Sequence, residues 1–174
     1  MNNSNSIIHT AKAVIAQQAT AIEGLIPQLT ADFEQVVNWA QKSNGRLVIT
    51  GIGKSAIIGM KISATLNSTG TKSMFMHAAD AIHGDLGMID NNDIVICLSK
   101  SGTTPEIKTL VPLLKNRGNK LVAMTANTDS YLAQHSNAVL HVNVPAEADP
   151  NNLAPTTSTT AQLVLGDALA ICLM

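Results

Sequence analysis

Five short apolar runs, each bounded by turn-forming residues, constrain this chain more than any other feature of its sequence. The runs are rich in β-branched residues and apolar on both faces, which is typical of strands in a sheet that is covered on both sides. Most of the segments between them have helical periodicity, as in SAIIGMKISATLNSTG and EIKTLVPLLKNRG. The pattern predicts an α/β fold, a three-layer α-β-α sandwich with a five-stranded parallel sheet. The predicted strands are RLVIT (46–50), SMFMH (73–77), DIVICLS (93–99), KLVAMT (120–125) and AVLHVNV (138–144).

Two N-terminal helices are predicted ahead of the first strand. Apolar residues fall at helical spacing from Ile7 to about Gln41, with an interruption near Pro27, so a helical segment is expected over about 6–44. A chain of 174 residues is long enough for one sizeable core and short for two. Residues 1–174 are therefore expected to form a single domain.

Composition, charge and the distribution of apolar residues argue against a nucleic-acid partner, a secretory signal and a membrane span. Charged residues make up 13% of the chain and the net charge is -1, which does not favour a nucleic-acid partner. The N-terminus lacks a basic region followed by an apolar stretch, so no secretory signal is predicted and a cytoplasmic location is expected. The segment TAQLVLGDALAICLM contains Asp167 and is shorter than the ~20 apolar residues of a membrane span, which favours a buried helix.

Both cysteines, Cys97 and Cys172, lie inside apolar runs. They are expected to be small buried hydrophobic residues, and neither a disulfide nor a metal site is needed to explain them.

The sequence LVITGIGKSAIIG contains a glycine turn after the first strand, a place where parallel sheets bind ligands. A P-loop is excluded by spacing, because the first glycine of that motif would fall on Val48. Gly51, Gly53 and Ala56 satisfy the dinucleotide-binding pattern. The second strand does not end in the acid that would hold a ribose, so a nucleotide enzyme stays open only as a weaker alternative.

A second loop, LSKSGTTPEI (98–107), follows the third predicted strand and begins a helix. It supplies three hydroxyl groups, a glycine that permits close backbone approach, and the unpaired N–H donors of a helix N-terminus. Together with Ser55 of the glycine turn, this loop is expected to hold one small phosphate without a nucleotide. The hydroxyl groups belong to Ser99, Ser101 and Thr104.

Four segments together carry a resemblance to a known family: TGIGKSAIIGMKISATLNSTGT, AIHGDLGMI, SKSGTTPEI and NNLAPTTSTTAQLVLGDALA. The chain resembles the sugar isomerase (SIS) domain of arabinose-5-phosphate isomerases over nearly its whole length. The resemblance implies a flavodoxin-like SIS fold and interconversion of D-ribulose 5-phosphate and D-arabinose 5-phosphate through an enediol, without a cofactor or metal. The product would supply synthesis of Kdo, an acid sugar of bacterial lipopolysaccharide and capsules.

The resemblance also implies roles for individual residues. An enediol step needs a base near the carbon and an acid or shuttle for the two oxygens. Because a free glutamate titrates near ~4.3, the glutamate that acts as base is expected to have a raised pKa. The expected phosphate ligands are Ser55, Ser99, Ser101 and Thr104, the expected catalytic residues are Lys54, His83, Glu106 and Glu147, and Thr157 and Ser158 are secondary candidates.

Two alternatives stay open beside the isomerase. They are a sugar-phosphate-binding SIS module without activity and an isomerase of another phosphosugar. The family usually continues into a His-Pro-Gly-Gly segment and often two CBS domains; neither is present in these 174 residues, and a truncated isomerase domain is expected. Sites of the family lie between subunits, so a homo-oligomer, specifically a tetramer, is expected.

Overall fold

The structure is a computed structural model that describes residues 3–174, with side chains described from Ser6 onward. Short 3-10 turns at Ile26–Gln28 and Asp85–Met88 supplement the regular elements. The helices are α1 (Asn3–Glu23), α2 (Ala31–Lys42), α3 (Lys54–Ser68), α4 (Ala78–Ile82), α5 (Pro105–Arg117), α6 (Tyr131–His135) and α7 (Thr157–Cys172). The strands are β1 (Leu47–Gly51), β2 (Ser73–His77), β3 (Ile94–Leu98), β4 (Lys120–Thr125) and β5 (Ala138–His141).

All five strands pair in parallel, in the order β2-β1-β3-β4-β5. The predicted fold class is confirmed, and β2 and β4 have the predicted bounds. The last strand is shorter than predicted, because its neighbour β4 ends at Thr125 and Val142 makes the final bond across to it (N–H to the Thr125 carbonyl, 2.9 Å). The apolar residues that follow stay buried without being in a strand.

Alternation along each strand divides the core into two layers. Leu47 and Ile49 of β1 face a cluster that includes residues of α1, α2, α3 and α7, whereas Val48 faces α4, α5 and α6. This is the three-layer arrangement expected for strands that are apolar on both faces. The N-terminal helices therefore cover one side of the sheet beside α7, and the predicted interruption near Pro27 is present as the 3-10 turn.

Helices α3 and α7 approach each other closely at Gly166. A Cβ atom at this position would lie 2.4 Å from both Cδ1 and Cγ1 of the fully buried Ile62. The glycine is therefore required by packing, since any side chain would have to displace a core residue.

We expect Gly166→Ala to lower the free energy of unfolding by about 1 to 3 kcal/mol, because the added methyl overpacks the contact with Ile62. Urea unfolding followed by circular dichroism measures the change. Gly87→Ala is the control, since a Cβ there would meet nothing within 4 Å. Combining Gly166→Ala with Ile62→Ala should cost less than the sum of the single changes, and full additivity would contradict the packing explanation.

The two cysteines differ in burial, which corrects the prediction for one of them. Cys97 is buried, and desolvation raises the pKa of its thiol to about 12. Cys172 is exposed, contrary to expectation, because its side chain lies outside the face of α7 that packs on the core through Leu169, Ala170 and Leu173. Among residues 3–174, no helix combines the length and apolar character needed to cross a bilayer.

Candidate functional site

The candidate site lies where the order of the strands reverses. The chain passes from β1 to β2 on one side and then returns to β3 on the other, so the connections after β1 and β3 diverge above the sheet. Such a switch point at the carboxyl ends of parallel strands is where open sheets bind ligands. Gly51 and Leu98 are register partners, which places the glycine turn (51–55) beside the hydroxyl loop (99–104).

The glycine turn leads directly into α3. Gly53 has a φ of 60° and precedes the helix without a side-chain cap, so the first N–H groups of α3 are not capped by it. Lys54 is the first residue of the helix and is exposed. Ser55 is half-buried, and its hydroxyl donates a hydrogen bond to Oε1 of Gln162 on α7 (3.3 Å).

The hydroxyl loop is internally bonded. Ser99 is buried, and its Oγ lies 3.2 Å from Oγ1 of Thr104 and accepts a bond from the N–H of Gly102 (3.2 Å). Ser101 is exposed, with its Oγ accepting from the N–H of Thr103 (3.3 Å). The N-terminus of α5 has no side-chain cap. Its N–H donors and these hydroxyls form a surface suited to an anion.

Contacts to β4 and α6 hold the hydroxyl loop in place. The carbonyl of Lys100 accepts from Oγ1 of Thr125 and from the N–H of Ala126, both at 3.1 Å. Gly102 has a φ of +64°, and a Cβ there would lie 2.1 Å from Oγ of Ser130. The backbone of the loop is therefore pressed against neighbouring elements at a position that only glycine fits.

Glu147 is buried at the start of α7, with its side chain 1% exposed. Its Oε2 accepts from the N–H groups of Thr156 (2.9 Å) and Ser158 (3.1 Å), and its Oε1 accepts from the Ser158 hydroxyl. Oε1 also pairs with Nζ of Lys100 at 2.7 Å. The carboxylate thus acts as the N-terminal anion of α7, where the helix dipole favours negative charge.

Glu147 does not have the raised pKa that is expected of the glutamate that acts as base. Burial pushes the pKa of this carboxyl upward, but the bonds from Lys100, Ser158 and the α7 backbone outweigh that effect and lower the pKa to about 2. A carboxylate that is fully occupied by donors is a poor base. In this conformation the geometry of Glu147 fits a fixed negative charge better than proton abstraction.

This shift makes a prediction for acid stability. The folded pKa lies below the ordinary value of 4.5, so the ionised group stabilises the fold above about pH 4.5, and that contribution is lost as the pH falls towards 2. Linkage gives about 3 kcal/mol for the full effect. We expect the parent to exceed Glu147→Gln in unfolding free energy at pH 7 and the difference to shrink by pH 3, measured by urea titration. A difference that is constant over this range would contradict the assignment.

The remaining predicted catalytic residues lie in the segments that follow β1, β2 and β3. Glu106 is the second residue of α5 and is half-buried. His83 is exposed and follows α4, beyond the carboxyl end of β2. Among the bonds recorded within residues 3–174, none joins the side chains of Lys54, His83 or Glu106 to another residue. The structure therefore brings Glu147 into the network of the hydroxyl loop, whereas these three side chains make no hydrogen bond or ion pair with the rest of residues 3–174.

Two residues of the network were missed by sequence reasoning. Lys100 stands between two predicted phosphate ligands, and a cation inside a Ser-x-Ser loop was a signal that could have identified it. Gln162 is 1% exposed on α7, and a buried glutamine within an apolar helix was the corresponding signal. Thr157 and Ser158 are both buried at the start of α7, where Ser158 contacts Glu147. No cluster of three or more potential metal ligands occurs in the described part of the chain.

The fold and these loops define an α/β protein with a site for a small anionic ligand at the switch point of a parallel sheet. The family model for the SIS domain matches residues 41–172, and the chain belongs to the SIS domain family.

Similar proteins are known from sequence and from structure. Arabinose 5-phosphate isomerase KpsF of Escherichia coli O6:H1 is 47% identical over 97% of this chain and 52% of its own length. Arabinose 5-phosphate isomerase KdsD of Pseudomonas aeruginosa is 47% identical over 100% of this chain and 53% of its own. A solved structure of E. coli CFT073 c3406 in complex with arabinose 5-phosphate has a TM-score of 0.94 and 41% identity, covering 99% of this chain and 92% of that one. The chain spans about half the length of the curated relatives it matches.

Proposed function

We propose that this chain is the isomerase domain of an arabinose-5-phosphate isomerase, interconverting D-arabinose 5-phosphate and D-ribulose 5-phosphate through an enediol. The observation that carries the proposal is the 47% identity, over nearly the whole chain, to proteins named as this isomerase. The c3406 structure in complex with arabinose 5-phosphate supports a sugar phosphate as the ligand. Synthesis of Kdo is the use of the product that the resemblance implies.

In this proposal the phosphate binds between the glycine turn and the hydroxyl loop. Ser55, Ser99, Ser101 and Thr104 donate hydroxyl bonds to its oxygens, and the uncapped N-termini of α3 and α5 add N–H donors. The sugar then extends over the crevice beside α5. Exposed Lys54 at the start of α3 is assigned to neutralise charge that develops on the substrate oxygens.

Proton transfer is assigned to Glu106 and His83. Glu106 lies two residues after Thr104, so a phosphate held by the loop places a sugar carbon within reach of its carboxylate, which makes it the proposed base. The two ring nitrogens of His83 can donate and accept a proton, which suits transfer between O1 and O2. Glu147 is assigned a positioning part, because its carboxylate is occupied by Lys100 and by α7.

A homo-oligomer, specifically a tetramer, is part of the proposal, as are a single SIS domain over residues 1–174 and a cytoplasmic location. Helix α1 leaves Ile7, Ile8 and Ile15 between 57% and 69% exposed. Ile171 and Met174 at the other end of the chain are also exposed. Apolar side chains of this size favour burial against another copy of the chain. A monomer mass in light scattering would contradict the proposed oligomer.

The function is tested by adding one of three phosphosugars to the purified protein and following the products by ³¹P NMR. The three are D-arabinose 5-phosphate, D-ribose 5-phosphate and D-glucose 6-phosphate, and we expect conversion of the first only. Ser99→Ala is expected to raise KM by removing a phosphate donor, whereas Ser68→Ala on the exposed end of α3 is the control. Conversion of another phosphosugar would favour an isomerase of that sugar. Binding without any conversion would favour a sugar-phosphate-binding module without activity.

A further inference from the structure

Lys100 is a charged residue of the hydroxyl loop to which the proposed reaction gives no part. It stands between Ser99 and Ser101, and its carbonyl is fixed by Thr125 and Ala126. Its side chain leaves the loop and ends 2.7 Å from Oε1 of Glu147. The lysine therefore links the loop to a carboxylate that lies 47 residues further along the chain.

The carboxylate in turn is fixed to α7. Glu147 accepts bonds from the N–H and hydroxyl groups of Ser158, in the first turn of that helix. Its own carbonyl accepts a bond from Nε2 of Gln17 on α1 (3.0 Å), and its N–H donates to Oδ1 of Asn152 (2.7 Å). Every polar group of Glu147 thus has a partner, and the residue is a rigid anchor for the lysine.

Helix α7 also contacts the other phosphate-binding segment. Gln162 lies four residues after Ser158, on the same face of the helix, and accepts the hydrogen bond from Ser55 of the glycine turn. Consequently α7 is bonded to both segments of the candidate site. One connection runs through Gln162 to Ser55, and the other runs through Glu147 to Lys100.

We propose that Lys100 is a positioning residue, whose ion pair with Glu147 holds the hydroxyl loop at a fixed distance from the glycine turn through α7, so that one phosphate can contact both segments. The inference rests on the proposed function for its kinetic effect, although the geometry on which it depends is independent of turnover. A lysine that only solubilised the loop would extend into water rather than meet a carboxylate that is 1% exposed.

The physical reason for the effect is the location of the charge. A buried carboxylate that loses its cation keeps the desolvation cost of its charge, so the segment rearranges or the group takes up a proton. Either response releases the hydroxyl loop from α7. Small displacements of a bound substrate reduce the rate of a step that depends on alignment with a base.

The experiment uses the whole chain with Lys100→Met, Lys100→Arg, Glu147→Gln and the Lys100→Met/Glu147→Gln double variant. Lys72→Met is the matched control, since Lys72 is exposed just before β2, at the amino ends of the parallel strands, whereas the candidate site lies at their carboxyl ends. The first probe is D-arabinose 5-phosphate, for kcat and KM. The second is inorganic phosphate, titrated while amide shifts of the glycine turn and the hydroxyl loop are recorded by NMR.

We expect Lys100→Met to lower kcat by about 10- to 100-fold, with a smaller change in KM, and Lys100→Arg to restore most of the loss. The double variant should have a kcat no lower than that of Glu147→Gln alone, because both changes break the same ion pair. In the parent, phosphate should shift the amides of both segments with a single Kd. In Lys100→Met this common Kd should weaken or separate into two values.

Three results would overturn the inference. The first is an unchanged kcat and an unchanged common Kd in Lys100→Met, even if its unfolding midpoint falls, since this would show a purely structural lysine. The second is a double variant whose fold loss in kcat equals the product of the fold losses of Lys100→Met and Glu147→Gln. Lys100 would then act on the substrate independently of Glu147. The third is a common phosphate Kd that differs no more in Lys100→Met than in Lys72→Met. A parent without turnover would instead reject the proposed function, and the phosphate titration would still decide the part of Lys100.

Discussion

Glu106→Gln is expected to lower kcat for D-arabinose 5-phosphate by about 100- to 10,000-fold, the usual contribution of a general base. The substitution preserves the size of the side chain and removes its ability to accept the proton from C2. The change in KM should be small, because the phosphate contacts lie in the hydroxyl loop and the glycine turn rather than at Glu106. Steady-state kinetics of the purified variant measure both constants.

The matched control for this experiment is Glu34→Gln. Glu34 occupies the first turn of α2, as Glu106 occupies the first turn of α5. The side chain of Glu34 is exposed, and α2 contributes no residue to the candidate site. A loss of helix-dipole stabilisation affects both variants to a similar extent, so only a catalytic part distinguishes them. If Glu106→Gln keeps more than about a tenth of the parent kcat, the assignment of Glu106 as base is wrong.

Gly102→Ala is expected to lower the free energy of unfolding by about 2 to 4 kcal/mol and to abolish phosphate binding at concentrations that saturate the parent. A left-handed φ costs an alanine of order 1 kcal/mol, and forcing the new Cβ against Ser130 adds an overpacking cost of about 1 to 3 kcal/mol. The distance from that Cβ to Oγ of Ser130 would be 2.1 Å, so the loop itself has to move. Urea unfolding and a phosphate titration by NMR give the two readouts.

Gly118→Ala separates the cost of the left-handed backbone from the cost of the contact with Ser130. Gly118 has a φ of 82°, close to that of Gly102, but a Cβ there would meet nothing within 4 Å. It should therefore show the backbone cost alone and leave phosphate binding intact. Equal destabilisation by the two variants would mean that the contact with Ser130 contributes nothing, and normal phosphate affinity in Gly102→Ala would remove the hydroxyl loop from the binding site.

The sequence predicted the sheet well because its strands are apolar on both faces and alternate with helical segments. This pattern depends on local spacing, and β2 and β4 were recovered with the observed bounds. The end of β5 was predicted too late, since apolar composition continues through Val144 while pairing depends on the length of β4. The exposure of Cys172 was missed for a related reason, because apolar composition at the end of α7 does not reveal which side chains face the core.

The candidate site was predicted in part. The hydroxyl groups of the loop follow from local sequence, and the register of β1 and β3 brings the start of the glycine turn beside the start of the hydroxyl loop. The state of Glu147 depends on contacts with Lys100, 47 residues away, and Ser158, 11 residues away. Such long-range partners decide whether burial raises or lowers a carboxyl pKa, and they are not readable from residue spacing.

The central claim is that this site moves a proton between C1 and C2 of a sugar phosphate, and isotope exchange tests it most directly. D-arabinose 5-phosphate is incubated with the parent protein in D₂O, and the C2 hydrogen is followed by ¹H NMR alongside Glu106→Gln. The account predicts that the parent forms D-ribulose 5-phosphate carrying deuterium at C1 and that the remaining D-arabinose 5-phosphate loses its C2 hydrogen signal by exchange with solvent, and it predicts neither change in the variant. Conversion with full retention of the original hydrogen would contradict the enediol, and absence of both exchange and conversion in the parent would contradict the isomerase assignment for this protein.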